Sequence, residues 1–315
     1  MGYEKPWKSY EEQLELLIER GLIVTDSNKA LIYLERIGYY RLSGYWYPFR
    51  ERNNLTQVAL DVFKAKASFQ NAVDLYVFDK NLRLLVMDAL ERIEIAIRVD
   101  ISHTLGEKNQ FAHIKPEFLS DKFTKHIDKR TGLTKHNQWL DNHNKLINRS
   151  KEKFIKHNKD KYGLQLPVWI ACEVWDFGTL SKLFAGLKPE DKNAIANKYG
   201  VSYGTVFESW LRSLNYLRNV CAHHSRLWNS NIVVRPQSPA PSDTNNGEFF
   251  LSNFQHNQRV FCLLCISKHL LNIINPSSSW GHRLKALLLE FPDLQHLHLG
   301  LPSMGVIEDW EEWSW

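Results

Sequence analysis

The chain has 315 residues and a formal net charge of +5, with 43% hydrophobic and 24% charged residues. That balance excludes a disordered chain and supplies core material for one large domain or two ordinary ones. No run approaches the ~20 apolar residues of a membrane span. The N-terminal MGYEKPWKSYEEQ lacks the apolar core of a secretion signal, and Gly2 has no myristoylation context, so a cytoplasmic protein without membrane attachment is expected.

SYEEQLELLIERG has Ser9 as N-cap, Glu12 as capping-box partner and Gly21 as stop, which predicts a helix over 10–20. Asp26 or Ser27 opens a second helix that closes near Gly38. YYRLSGYWYPFRE (39–51) reads as an aromatic, turn-rich corner around Gly44 and Pro48. From Ser68 to Gly106 apolar residues recur at helical spacing and predict a long central helix, or a pair broken near Asp79. Residues 136–158 read as one basic amphipathic helix with Trp139, Leu146, Ile147 and Ile155 on its apolar side. Pro167 opens another helix, and short ones follow to Gly186 and from Pro189 to Tyr199. A helix from Thr205 to Trp228 precedes a Pro-, Ser- and Asn-rich surface loop over 235–250. Residues 254–274 are apolar nearly all round, and a last helix near 281–291 leads to an acidic tail with Trp310, Trp313 and Trp315. Ile232–Arg235 is the one credible strand. The expected class is all-α, a multi-helix bundle with an N-terminal helical extension. Its regions are an N-terminal part (1–62), a core (63–275) and a C-terminal helix and tail (276–315).

Charge is uneven along the chain. Residues 121–161 hold twelve Lys or Arg against five Asp or Glu. Lys145, Arg149, Lys153 and Lys156 are candidate phosphate contacts there, against the plainer reading of a solvated helix face. Arg41 and Arg50 lie among aromatics, a pattern that suits base stacking and phosphate contact as well as ordinary packing. Cys172, Cys221, Cys262 and Cys265 have no regular spacing and read as reduced thiols. Cys262-x-x-Cys265 with His269 falls short of a zinc set and sits among Phe261, Leu263, Leu264 and Ile266, so core packing is expected and no metal or other cofactor.

The densest chemistry is LNYLRNVCAHHSRLWN (214–229), which places Arg218, His223, His224 and Arg226 beside an apolar helix face. A histidine can move a proton at neutral pH, and an arginine can stabilise charge growing on phosphate oxygens. With a ribose 2′-OH as nucleophile, no protein Ser or Cys is needed. Asn219 lies one turn before His223 and would orient it, which favours His223 over His224 as the acid/base.

Arg218-Asn219-x-x-x-His223 fits the Arg-x(4–6)-His motif of HEPN-type ribonucleases. The longer blocks IGYYRLSGYWYPFR (37–50), FDKNLRLLVMDALERIEIAIR (78–98), LPVWIACEVWDFGTLSKLF (166–184) and SLNYLRNVCAHHSRLWN (213–229) together resemble the Abi-like abortive-infection proteins of the AbiD/AbiF group. The resemblance spans roughly residues 10–275. It implies an all-helical HEPN core acting as a metal-independent endoribonuclease in anti-phage defence, with RNA as substrate; Arg226, three residues past His223, is a further candidate RNA contact. For some members it also implies a small restraining non-coding RNA, and the group is thought related to type VI RNA-guided CRISPR effectors. Those effectors join two motifs in one composite site. The second Arg-x4-His here, Arg98 to His103, departs from the pattern at Val99, and Arg98 has Glu94 one turn away as an alternative partner. Val99 and the expected burial of that helix favour a homodimer with two facing copies of the 205–228 helix over an intrachain pair. Two rival readings are a non-catalytic RNA-binding module and a helical protein-interaction partner with a degenerate motif.

Overall fold

A computed structural model describes residue 2 and residues 6–163, 165–243 and 247–315. Residues 3–5 of the N-terminal stretch and 244–246 of the expected 235–250 loop therefore lie outside the described residues. The class is all-α, with fourteen α-helices and a single two-stranded sheet among the described residues.

The N-terminal region contributes α1 (Tyr10–Glu19), α2 (Ser27–Arg36) and α3 (Tyr39–Trp46). The Ser9/Glu12 capping box closes as expected, with Ser9 N–H on the Glu12 carboxylate at 2.6 Å, and Asp26 caps α2. The aromatic corner is not a turn. It is the helix α3, because Leu42, Tyr45 and Trp46 bury against the central helix. A hairpin of β1 (Arg50–Arg52) and β2 (Ala59–Phe63) follows, with Arg50 opposite Phe63.

Next comes α4 (Phe69–Lys108), 40 residues without a break. Asp79 does not interrupt it, since that carboxylate pairs with Arg83 one turn on. Its N-terminus carries a second capping box, Ser68 with Asn71. The basic segment holds α5 (Asp121–Thr124), α6 (Lys135–Arg149) and α7 (Lys153–Tyr162). The single helix expected over 136–158 is thus two helices separated at Ser150, whose extended backbone (ψ 130°) ends α6. After α8 (Val168–Ala171) come α9 (Phe177–Gly186), α10 (Pro189–Lys198), α11 (Gly204–Ala222), α12 (Gly247–Ser252), α13 (Val260–Ile274) and α14 (Trp280–Leu289).

α4 is the axis: α3, α8, α9, α11, α13 and α14 all pack on it. One continuous core runs from Leu14 to Val306. α13 is buried nearly all round, as its composition predicts, and Cys262 and Cys265 lie inside it as apolar filler. Ile232–Arg235 is no strand. Ile232 N–H donates to the Gln258 carbonyl at 2.8 Å within an irregular segment. The tail folds back, Trp313 stacking on Phe249 with ring centroids 5.2 Å apart. Among the described residues, no helix is long and apolar enough to cross a membrane.

Candidate active site

α11 turns Leu211, Leu214, Leu217 and Cys221 into the core. It ends at Ala222 rather than continuing to Trp228, so both histidines lie at its end and not within it. His223 is the C-cap and His224 the next residue, in the left-handed region at φ +57°. His224 N–H donates to the Cys221 carbonyl and Ser225 N–H to the Val220 carbonyl, each at 3.0 Å. This is a Schellman closure, whose left-handed position glycine usually fills. A histidine there costs roughly 1–2 kcal/mol. The strain persists because long-range ties fix the turn.

Arg41 of α3 donates to the His224 carbonyl at 2.6 Å, and the Arg226 guanidinium donates to the Gly44 carbonyl. Deeper in, the fully buried Asp79 carboxylate accepts from Leu227 N–H (3.1 Å) and Trp228 N–H (2.7 Å), from the Tyr45 hydroxyl (2.7 Å) and from Arg83. Burial pushes the Asp79 carboxyl up from its ordinary value, while Arg83, Tyr45 and the two backbone donors oppose that push. Two helices and the 225–228 turn thus meet on one carboxylate. Sequence reading singled out neither Asp79 nor Arg83 as a pair. The available signal was a charged i, i+4 couple inside an otherwise apolar helix.

His223 projects from this clamped turn as an exposed side chain. Its N–H donates to the Asn219 carbonyl at 3.0 Å, a backbone tie. No side-chain hydrogen bond joins Asn219 to His223 among the described residues. Arg218 is half-buried, and its guanidinium has no hydrogen-bond or ion-pair partner among the described residues. It lies near Glu94 of α4. Burial pushes the Glu94 carboxyl up, Arg98 and then Arg218 oppose that, and Asp176 adds a like charge. The arginines of both motifs therefore converge on one carboxylate.

Arg98 is committed elsewhere. It pairs with Glu94 at 2.9 Å and Glu173 at 3.6 Å, and donates to the Trp175 carbonyl at 3.0 Å. Val99 and His103 are exposed, contrary to the expectation that this helix is buried throughout. The only thiol in the stretch is Cys221, which burial pushes up to about 12, so it is no nucleophile near neutrality. No group of three or more His, Cys, Asp or Glu among the described residues is placed to hold a metal ion.

The other expected phosphate contacts divide in two. Arg41 and Arg226 serve the turn as described, and Arg50 pairs with Asp61 at 2.7 Å beside the Tyr47 ring. Lys145, Arg149, Lys153 and Lys156 are exposed on α6 and α7 and have no ion pair among the described residues. Asp176 and Asn215 are additions that sequence reading missed. Asp176 caps α9, and a Cβ placed on Gly178 would stand 3.4 Å from both their side chains, so α9 and α11 approach closely beside Arg218.

No curated protein and no solved structure matches the chain. The family model described as Abi-like protein matches residues 32–229, well over half of the chain, from α2 through the clamped turn. The chain belongs to the Abi-like protein family.

Proposed function

We propose that this protein is a metal-independent endoribonuclease of HEPN type that serves abortive infection in the cytoplasm. One observation carries the reading. A half-buried arginine with no hydrogen bond or ion pair among the described residues, Arg218, lies beside Glu94 and five residues before an exposed histidine, His223, on a turn that α3 and Asp79 hold in place. An unpaired guanidinium is free to take a phosphate, and a rigidly based imidazole is free to move a proton.

In this reading the ribose 2′-oxygen attacks phosphorus as its proton passes to a histidine. The P–O5′ bond breaks, and the departing 5′-oxygen receives a proton. The products are a 2′,3′-cyclic phosphate and a 5′-hydroxyl. Arg218 stabilises the charge on the non-bridging oxygens.

The two proton transfers call for two groups. Arg98 is tied to Glu94, Glu173 and Trp175, so the Arg98/His103 pair lacks a free guanidinium. That supports a second copy of the chain supplying its own Arg218 and His223 across a two-fold axis. A structured regulatory RNA is a further partner of this reading, with Lys145, Arg149, Lys153 and Lys156 as its contacts.

The test is RNA cleavage in the presence of EDTA by wild-type protein, by His223→Ala, by Arg218→Ala and by a mixture of the two variants. Cleavage lost in each variant and partly restored in the mixture is expected. RNA binding without cleavage in the wild type would instead mark a non-catalytic RNA-binding module.

A further inference from the structure

Away from the motif, a cavity of about 510 Å³ opens between α5, α6, α9, α10 and the first half of α11. Five cations line it, from Lys122, Lys135, Lys182, Lys192 and Arg212, against one carboxylate, Glu208. That carboxylate is already used, because Lys192 pairs with it at 2.7 Å. Lys122, Lys135, Lys182 and Arg212 have no ion pair or hydrogen bond among the described residues. Four unpaired cations around one concavity repel one another, an arrangement that an anion relieves.

The cavity is larger than a lone phosphate needs and falls in the range of small-molecule sites. Its wall is partly apolar, with Phe123, Trp139 and Ala185 contributing. Gln138 and Asn142 commit their NH₂ groups to Thr131 and Thr179 at 2.9 and 2.8 Å, which leaves each a carbonyl acceptor. Cations for a phosphate, an apolar wall for a ring and amide acceptors for its N–H edge are the requirements of a nucleotide.

The cavity also lies in line with the motif. At about 100° per residue, Glu208, Arg212, Asn215 and Asn219 fall on one stripe of α11, which runs toward the His223 cap at its end, with Arg218 about 80° to one side. Arg212 precedes Arg218 by about 9 Å of helix and His223 by about 16 Å. On the facing helix, Gly178 and Lys182 are one turn apart and border the same stripe.

We propose that this cavity binds a nucleoside phosphate and anchors the RNA strand that the Arg218/His223 motif cleaves. The second half of that statement rests on the function proposed above. Binding is therefore measured without cleavage, on the full-length His223→Ala chain. The probes are a fluorescent single-stranded 2′-O-methyl RNA and, separately, AMP.

Lys182→Glu with Arg212→Glu should weaken RNA binding at least tenfold and lower the log–log salt slope by about one to two. Both side chains are exposed, so the melting temperature should hold. A charge-matched control at exposed sites elsewhere, Arg36→Glu with Lys80→Glu, should change affinity less than threefold. Equal weakening by the control would overturn the site, as would unchanged binding of both probes in the pocket variant. AMP binding that depends on Arg212, beside an unchanged RNA affinity, would overturn the strand anchor and leave a free-nucleotide site. A wild-type protein that binds RNA through this pocket yet never cleaves it would sink the nuclease reading alone.

Discussion

The histidines buried on and against α6 and those at the end of α11 occupy opposite environments. His113, His136 and His143 are buried with Trp139 and Trp175, the His113 and His143 rings 5.3 Å apart. Trp175 donates its indole N–H to His143 at 2.9 Å, and neither ring nitrogen of His113 has a hydrogen-bond partner among the described residues. Burial lowers His113 to about 3 and His143 to about 4, so both are neutral packing groups. His223 and His224 are exposed on a clamped turn beside an unpaired arginine. The contrast shows that histidine content says little about chemistry. Burial and the neighbouring guanidinium separate the two sets.

The sharpest way to break the comparison is to remove His223. On the proposed function, His223→Ala should reduce RNA cleavage by about 10²–10⁴, while the melting temperature moves by no more than about a degree or two because an exposed side chain is lost. Loss of folding in that variant would place His223 with the structural set. Next in size is the clamp. Asp79→Ala strands the buried Arg83 and two backbone donors and should cost about 3–5 kcal/mol in denaturant unfolding. Cleavage should fall with it, since the turn loses its anchor. Retained stability in Asp79→Ala would show that the turn holds without that carboxylate.

The buried set makes its own prediction through pH. Above the ordinary histidine value of 6.5 both folded and unfolded chains are neutral at His113 and His143, and nothing is lost. As pH falls below 6.5 the unfolded chain takes up protons that the folded chain refuses until about 3–4, so stability declines across that window. The decline should reach about 1–2 kcal/mol per histidine near pH 5. His113→Phe, which keeps an aromatic ring in the same cluster, should flatten the melting temperature between pH 7 and pH 5. An equally steep acid loss in that variant would shift the cause to other groups. The smallest effect belongs to His224→Gly. Relief of the left-handed backbone should raise stability by about 0.5–1 kcal/mol, with cleavage retained if His223 alone moves the proton. Loss of cleavage there would make His224 the acid/base instead.

Elements fixed by local chemistry were readable from sequence. The Ser9/Glu12 box, the Asp26 cap and the apolar register from Ser68 onward need only near neighbours, and each folds as predicted. The misreadings depend on distant partners. Gly44 looked like turn punctuation, yet α3 continues through it because Tyr45 and Trp46 gain a surface on α4. The end of α11 is set by Asp79, more than a hundred residues earlier, which captures the N–H groups of Leu227 and Trp228. The hairpin at 50–63 has too little apolar alternation to be seen; Asp61 pairs within it with Arg50 and ties it to Arg20. At the site, Arg218 and His223 were legible as residue types. That Arg98 takes the ion pair with Glu94 while Arg218 lies near that carboxylate without a direct bond could be learned only from the packing there.

The uninterrupted α4 has a mechanical consequence. Asp79, which grips the histidine turn, and Glu94, which neighbours Arg218, are both on this rod, about 22 Å apart along its axis. No loop intervenes, so their separation behaves as a fixed ruler. Opening a joint between these two grips cannot switch the proposed activity off, because there is no joint there. Restraint of the proposed activity would then act as a cover laid over the Arg218/His223 surface, and amide exchange in α4 should be equally slow in the silenced and the free protein.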